Sequence, residues 1–413
     1  MEETTATTRQ PRPTTSTATL TLPVKRQQPP VTELPFDLMV EILCRLPVKS
    51  LLRFRSVCKS WNSLISNNPK FTYKHLHIST TKPKLVIFTH TETRPRKIID
   101  VTSIELDFIF TSTPTQIEFS FINQLIASCD GLICFQVNKS RALLWNPSTT
   151  KSKLLPLLDI PLQANDGRTI FTFGYDPFIH NYKVFSVFCY DFKYDGFHTI
   201  NGCKTEVKVH TLGTHSWRRI QDFPSMVHDD EPGTIVNGKV YWFAYSYVSG
   251  CYTRHIVSLD LGKESYKEIS LPDMMLVPLT MGCLRDSLSL VFHSNTFNDV
   301  WLFKECGNED SWIKLIRLPR FGRDEDRFFS YSNVIYISED NNHVLLNFKD
   351  DDKLKWAVYD SKNDTSRNIK TQDWSLVDSK VYVESLNPSP DTLFDDEDDS
   401  SETSTSTNST FNP

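Results

Sequence analysis

The pattern of hydrophobic and polar residues changes once along the chain. Within residues 33–75, Leu38, Ile42 and Leu46 recur at every fourth position, which places them on one face of a helix. In residues 82–386 the apolar side chains instead fall in short runs that are broken by turn residues, as is typical of β-strands. The sequence therefore predicts an α+β, mainly β protein, with a short helical module followed by a large β domain.

The two ends of the chain lack the apolar clusters that a folded domain needs. Residues 1–32 are rich in Thr, Pro and Gln, and residues 387–413 mix acidic residues with Ser and Thr. Neither segment can offset its ordering entropy by burying apolar surface, so we expect both to be disordered. A chloroplast transit peptide is the alternative for the first segment, although Glu2, Glu3 and the proline density argue against it.

The helical module divides into three short predicted helices. The first stops where Pro47 forbids continuation, the second begins near Val48, and the third lies around Cys58 to Ile65. A unit of about forty residues is too small to bury this many large apolar side chains by itself, because such units usually need disulfides, a metal or a partner. The sequence thus predicts either a binding partner or helices that pack onto the β domain.

The module resembles the F-box, and especially its plant form. The string LP-x-DL-x3-IL-x-RLPVKSLLRFR-x-VCKSWNSLI at residues 34–65 carries the likeness. In that family an exposed apolar face binds a Skp-type adaptor, which links the protein to a cullin. The adaptor contacts that the resemblance implies are Leu34, Pro35, Ile42, Leu43, Leu46, Pro47, Leu51, Leu52, Val57 and Cys58. It also implies that Trp61 and Leu64 hold the third helix in place, and it assigns no role to Phe36 and Met39.

The β domain contains a weak two-part repeat. Copies of a turn that leads into an apolar strand occur at residues 129–135, 176–185, 236–243, 284–292 and 339–348. The step between copies is about 50 residues, close to the length of a kelch blade. Asn237-Gly238 is the clearest turn and predicts a type I′ hairpin.

Two leftover apolar strands lie at opposite ends of the β domain, at residues 84–88 and 381–386. Together they would complete one further blade, and such closure would remove exposed sheet edges. The sequence therefore predicts a kelch-like β-propeller of about six blades, with five or seven as alternatives.

The β domain resembles the plant F-box-associated, kelch-like domain. The likeness rests on WNPST at residues 145–149, with Leu155-Pro156 behind it, and on GYDP-x4-YKVF at residues 174–185. It extends to pollen S-locus F-box proteins that recognise ribonucleases. Kelch blades usually carry paired glycines, whereas this chain has 13 glycines and no Gly-Gly pair. The blade number is accordingly less defined than the family.

Composition excludes several other classes of protein. Nine cysteines without a CxxC pair predict reduced thiols, and hence the cytosol or the nucleus. The formal net charge is -5, but residues 1–32 carry a net +2 and residues 381–413 carry eight acids. About +1 therefore remains between them, which gives no support to nucleic-acid binding. No apolar run is long enough to span a membrane.

Motifs for chemistry are missing from the sequence. It contains no phosphate-binding, dinucleotide-binding, zinc-protease or nucleophile-elbow motif, so we expect no cofactor, metal or catalytic residue. Tyr241 and Trp242 could belong to a carbohydrate or copper site, but aromatic residues within a strand are more often core.

The two resemblances imply a non-catalytic, substrate-recognition subunit of an SCF-type (Skp–cullin–F-box) ubiquitin ligase. The F-box would bind the adaptor and the propeller would hold a protein substrate. Long polar loops at residues 159–168, 190–204 and 321–327 are candidate contact surface. Two alternatives remain: an F-box interaction scaffold that acts outside the ligase, and a propeller enzyme with an incidental helical module.

Overall fold

The computed structural model describes the helical module and most of the β domain. The described residues are 34–80, 84–93, 96–105, 113–117, 124–160, 167–194, 200–227, 232–248, 251–272, 279–294, 296–306, 309–321, 332–350, 353–369 and 377–386. The two terminal segments that we expect to be disordered, residues 1–32 and 387–413, lie outside this part of the chain.

Four helices form the described N-terminal module. They are α1 (Phe36–Leu43), α2 (Val48–Phe54), α3 (Lys59–Asn67) and α4 (Pro69–Ser79). The prediction of three helices is therefore short by one. Hydrophobic spacing missed α4 because its buried face includes the polar residues Thr72 and His75. This helix begins at Asn68, whose side chain caps it by accepting a hydrogen bond from the Phe71 amide at 3.1 Å.

The described part of the β domain contains twenty-five strands. In chain order they are β1 (Lys84–Thr93), β2 (Arg96–Glu105), β3 (Thr113–Ile117), β4 (Gln124–Cys129), β5 (Leu132–Asn138), β6 (Arg141–Asn146), β7 (Lys151–Leu154), β8 (Arg168–Asp176), β9 (Asn181–Tyr194), β10 (Ile200–Thr211), β11 (Arg218–Arg219), β12 (Met226–Val227), β13 (Thr234–Val236), β14 (Lys239–Val248), β15 (Cys251–Asp260), β16 (Tyr266–Ile269), β17 (Leu279–Leu284), β18 (Ser287–His293), β19 (Phe297–Cys306), β20 (Glu309–Pro319), β21 (Ser332–Ile337), β22 (His343–Asp350), β23 (Lys353–Asp360), β24 (Thr365–Asn368) and β25 (Val377–Tyr382).

The described strands pair into antiparallel sheets. Their orders are β25–β1–β2–β3, β4–β5–β6–β7, β11–β10–β9–β8, β12–β14–β15–β16 with β13 beside β14, β17–β18–β19–β20, and β21–β22–β23–β24. The sequence predicts about six blades, whereas five of the described sheets consist only of strands that follow one another in the chain. These five sheets correspond to the five repeat copies in the sequence. The remaining sheet joins the first three strands to the last one. The domain is a β-propeller.

The innermost strands contact one another in a closed ring, in the order β25, β4, β8, β13, β17 and β21. The closing strand β25 pairs with β1, from Thr89 opposite Val377 to Lys84 opposite Tyr382. This confirms the predicted pairing of the two ends of the domain. The bounds of the closing strand differ, however, because residues 383–386 leave the sheet instead of extending it.

The turn after each innermost strand lies at one end of the ring, which we call the turn end. Hydrogen bonds connect neighbouring turns there: Asn237 Nδ2 donates to the Asp286 carbonyl at 2.7 Å, and Arg285 donates to the Glu339 carbonyl at 3.1 Å. Because strands alternate in direction, the connections from one sheet to the next lie at the opposite end, which we call the loop end.

The turn between β13 and β14 has the conformation that the sequence predicts. Val236 pairs with Lys239, so Asn237 and Gly238 are the two turn residues. Their φ angles are 48° and 72°, and positive φ at both positions is the mark of a type I′ turn. The type I′ prediction is therefore confirmed.

Apolar side chains fill the spaces between neighbouring sheets. Between the sheet of β8–β11 and that of β12–β16, Trp242 packs edge-to-face against Phe223, with 5.5 Å between ring centroids. Tyr241 and Trp242 are both buried. Their interpretation as core residues is confirmed.

The core of the helical module includes a residue from the other end of the β domain. Leu386 is 1% exposed. It packs with Leu43, Cys44, Val48, Leu51, Leu64, Ile65 and Phe71. The inner side of the module thus shares its core with residues that follow the closing strand, while its outer side stays open to solvent.

Candidate functional site

Large apolar side chains are exposed on the outer side of the helical module. We call this set the apolar face: Leu34, Phe36, Leu38, Ile42 and Val57, each more than half exposed. Exposed apolar surface that is concentrated in one small module is typical of a protein-binding site rather than of a free surface.

Helix α1 presents two apolar stripes that point in different directions. Leu38 and Ile42 lie one turn apart and face solvent, whereas Leu43 faces the core. Hydrophobic spacing predicts that Leu38 and Ile42 lie on the same face of the helix. It does not predict whether another helix covers that face or leaves it exposed to solvent. The structure assigns the Leu38–Ile42 stripe to the surface.

The ten adaptor contacts that the F-box resemblance implies differ in their exposure to solvent. Those at the surface are Leu34, Pro35, Ile42, Pro47, Val57 and Cys58. Leu46 and Leu52 are half-buried. Leu43 and Leu51 are buried inside the module, with Leu51 fully enclosed. These two side chains offer no surface to a partner in this conformation and instead hold the helices together.

Trp61 connects the first three helices. Its indole Nε1 donates to the Met39 sulfur of α1 at 2.8 Å, and its ring packs edge-on against Phe54 of α2 with 5.4 Å between centroids. Leu64, one turn further along α3, is buried. Met39, to which the sequence assigns no role, is thus a packing partner of Trp61.

Helix α4 stabilises the break between α1 and α2. His75 is buried, and its Nε2 lies 3.0 Å from the Leu46 carbonyl, just before Pro47. Burial lowers the pKa of His75, outweighing the contact with that carbonyl, which acts to raise it. The neutral ring is therefore the form that fits this position.

The side chain of Cys58 is exposed at the start of α3. Its sulfur lies 3.1 Å from the Ser60 hydroxyl, and this contact lowers the pKa of the Cys58 thiol. The position is consistent with a surface contact, as the sequence implies.

The three candidate target loops emerge from the loop end of the ring. The described flanks of the first loop contact the turn between β5 and β6, which lies at this end: the Leu158 amide donates to the Ser140 carbonyl at 2.9 Å, and Thr169 Oγ1 donates to the Lys139 carbonyl at 2.5 Å. Phe321 is buried directly after β20. Residues 161–166, 195–199 and 322–327 of these predicted loops lie outside the described residues. The prediction of a loop over residues 190–204 is too long, because residues 190–194 belong to β9 and residues 200–204 to β10.

The helical module lies at the opposite end. Ser385 follows the closing strand and packs against Gly131 in the turn between β4 and β5, and Leu386 then enters the helical core. The apolar face and the candidate target loops therefore belong to opposite ends of the ring.

Comparison with known proteins agrees with this architecture. Residues 76–392 match the family described as F-box associated beta propeller domain, and residues 31–73 match the F-box domain. The chain belongs to the F-box proteins that carry this propeller. An F-box/kelch-repeat protein of Arabidopsis thaliana is 30% identical, over 86% of this chain and 95% of the relative. A putative F-box protein of the same plant is 28% identical, over 87% of this chain and 99% of the relative.

Sequence reasoning missed part of the apolar face of this F-box protein. The sequence assigns no role to Phe36 and places Leu38 in the helical stripe, yet both side chains are more than half exposed. The available signal is their position between Leu34 and Ile42, in a stretch where every residue except Asp37 and Glu41 is apolar.

Two further properties concern the described residues. Their helices include none that is long and apolar enough to cross a membrane. Among the same residues, no cluster of three or more His, Cys, Asp or Glu side chains is arranged to hold a metal ion.

Proposed function

We propose that this F-box protein is the substrate-recognition subunit of an SCF-type ubiquitin ligase. The apolar face binds a Skp-type adaptor, the adaptor links the protein to a cullin, and the propeller holds a target protein for ubiquitination and degradation. The observation that supports this most is the apolar face itself, because five large apolar side chains are exposed on one small module.

The proposed adaptor contacts are the F-box side chains that reach the surface. They are Leu34, Pro35, Phe36, Leu38, Ile42, Pro47, Val57 and Cys58, with the half-buried Leu46 and Leu52 at the edge. Leu43 and Leu51 act indirectly in this proposal, since they shape the helices that carry the contacts.

The proposed target surface is the loop end of the propeller. The loop end lies opposite the end of the ring that carries the F-box, so a target bound there does not compete with the adaptor for space. The protein itself carries out no chemistry in this proposal. It raises the effective concentration of a substrate lysine near the conjugating enzyme, as any bivalent scaffold does.

We place this function in the cytosol or the nucleus. Cys44, Cys134 and Cys189 are buried free thiols, which suits a reducing compartment. Neither a nucleic acid, a membrane nor a cofactor takes part.

Affinity purification of the full-length protein from plant cells tests the proposal. We expect a Skp-type adaptor and a cullin to co-purify, and we expect candidate targets to accumulate when the proteasome is inhibited. Loss of both ligase components would contradict the proposal. Recovery of the adaptor without a cullin would instead favour an F-box scaffold that acts outside the ligase.

A further inference from the structure

The residues that follow the closing strand run from the propeller into the F-box. We call residues 383–386 the strap. At the propeller side, the Asn146 side chain donates to the Ser385 carbonyl at 3.0 Å. A Cβ atom at Gly131 would overlap the Ser385 side chain and lie 2.8 Å from the Val383 carbonyl. The strap is therefore packed closely against the sheet of β4–β7.

At its other side the strap caps helix α2, which has no capping side chain of its own. The residue before α2 is Pro47, which has no side-chain hydrogen bond to offer the helix. A carboxylate oxygen of Glu384 accepts a hydrogen bond from the Val48 amide at 3.0 Å, although the two residues are 336 positions apart. The second oxygen of Glu384 pairs with Lys84 Nζ at 2.7 Å, at the start of β1.

The last residue of the strap completes the F-box core. Leu386 is 1% exposed and packs against Val48 and Leu51 of α2, together with apolar residues of the other three helices. The same four-residue segment thus touches the closing sheet, the neighbouring sheet and the F-box. Ser385 contacts the neighbouring sheet, Glu384 contacts both the closing sheet and α2, and Leu386 lies in the F-box core. Together these contacts hold the strap in a single position.

We infer that the strap is an integral part of the F-box, so that the adaptor-binding helices reach their full stability only when the last strand has closed the propeller. Glu384 and Leu386 are positioning residues in this scheme, because they touch α2 and the F-box core rather than the adaptor. The structural claim stands on the contacts above, and its consequence for the ligase rests on the proposed adaptor binding.

Hydrogen exchange of the full-length, unbound protein tests the structural claim. Leu386→Ala should raise the opening equilibrium of the α1–α3 amides about 30-fold or more, because a large-to-small change in a core leaves a cavity. Leu157→Ala is the matched control, since Leu157 is exposed on the propeller, and it should leave F-box exchange unchanged. Wild-type exchange of α2 in Leu386→Ala would overturn the inference.

Two variants separate capping of α2 from pairing with Lys84. Glu384→Gln keeps an oxygen that accepts from the Val48 amide but loses the ion pair, so exchange of α2 should stay within about threefold of wild type. The swap of Glu384→Lys with Lys84→Glu keeps an ion pair but removes the acceptor. We expect the swap to open α2 about tenfold more often. Full protection of α2 in the swapped protein would overturn the capping role, and this test remains available if Leu386→Ala does not fold.

The consequence for adaptor binding has its own readout. An adaptor that binds only when the F-box helices are folded must also protect the strap amides from hydrogen exchange, although the strap lies away from the apolar face. At an adaptor concentration of about 100 times Kd, openings of the strap that are coupled to the F-box should become about 100-fold rarer. Bound adaptor without added protection of residues 383–386 would overturn the coupling, whereas absence of binding would contradict the proposed function alone.

Discussion

Replacing Ile42 by aspartate should weaken adaptor binding about a thousandfold while lowering the stability of the free protein only slightly. Ile42 is 53% exposed and lies one turn from Leu38 on α1. In the free protein the new carboxylate remains in water, and only the buried half of the Ile42 side chain is lost, so we expect the free energy of unfolding to fall by about 1 kcal/mol. The larger effect should therefore appear in the bound state.

The size of the loss follows from how much of Ile42 a partner would cover. Full burial of an aliphatic side chain of this size is worth about 1.5–3 kcal/mol, so covering the exposed half of Ile42 is worth about 1 kcal/mol. Ile42→Ala should then weaken binding about fivefold. Ile42→Asp also leaves a desolvated carboxylate without a partner, which costs several kcal/mol more and should weaken binding about a thousandfold.

Titration calorimetry of full-length variants with a purified Skp-type adaptor measures this series. Ile313→Asp is the matched control, because Ile313 is 45% exposed on β20 at the edge of its sheet, and it should bind like wild type. Leu51→Ala provides the opposite case. Leu51 is fully buried, so its truncation should lower the free energy of unfolding of the F-box by about 2–5 kcal/mol.

Two results would refute this reasoning. One is an Ile42→Asp protein that binds the adaptor within about threefold of wild type. The other is an Ile42→Asp protein that melts several degrees below wild type, because Ile42 would then be a packing residue. Near-UV circular dichroism of the propeller should be the same in every variant that folds.

Three further predictions concern stability. A chain trimmed to residues 32–386 should keep its melting temperature within error, because the removed segments carry few apolar residues; a fall of several degrees would mean that one of them docks. Gly131→Ala should lower the free energy of unfolding by several kcal/mol, because φ is +82° and the new Cβ would overlap Ser385. Gly213→Ala is the control: φ is +88° there, but the new Cβ would have nothing within 4 Å, so we expect a loss of about 1 kcal/mol. Equal losses in denaturant melts would contradict the strap contact. Burial lowers the pKa of His75 in the folded protein. The stability that the neutral His75 ring gives the folded protein is therefore fully present above about pH 6.5 and is lost as the pH falls below that value. His75→Gln should flatten this part of the curve of stability against pH, by up to ~1.4 kcal/mol per pH unit.

The repeat and the turns of the propeller were predictable because their causes are local. An apolar strand that follows a turn can be seen in each copy, and Asn237-Gly238 carries its conformation in the two residue types themselves. The pairing of β1 with β25 was predictable for a different reason. Two apolar strands without partners stood at opposite ends of an otherwise regular array, and a closed ring has no exposed edge.

The division of the F-box into core and surface could not be read in the same way. Ile42 and Leu51 both belong to the motif, but one is 53% exposed and the other is fully buried. Helical periodicity predicts which residues share a face, while the element that covers this face depends on tertiary packing. The same limit explains α4, whose buried His75 looks like a surface residue in the sequence.

Glu384 and Leu386 show this limit most clearly. Both stand at the end of the apolar strand that the sequence predicts at residues 381–386, so the strand pattern assigns them to the closing sheet and not to the core of a helical module. Their roles arise because ring closure brings the chain back to α2 over a separation of 336 residues. No pattern within a short window of sequence contains that information.

Ring closure and placement of the F-box depend on the same pair of strands. Helix α4 ends at Ser79, five residues before β1, and the strap leaves β25, which pairs with β1. The F-box is therefore attached to the propeller at two points that lie side by side on the closing sheet. Two attachments restrict rotation that a single connection would allow, so we expect the loop end to keep a fixed direction relative to the apolar face. For a scaffold whose contribution is effective concentration, such stiffness decides which lysines of a bound target can be reached.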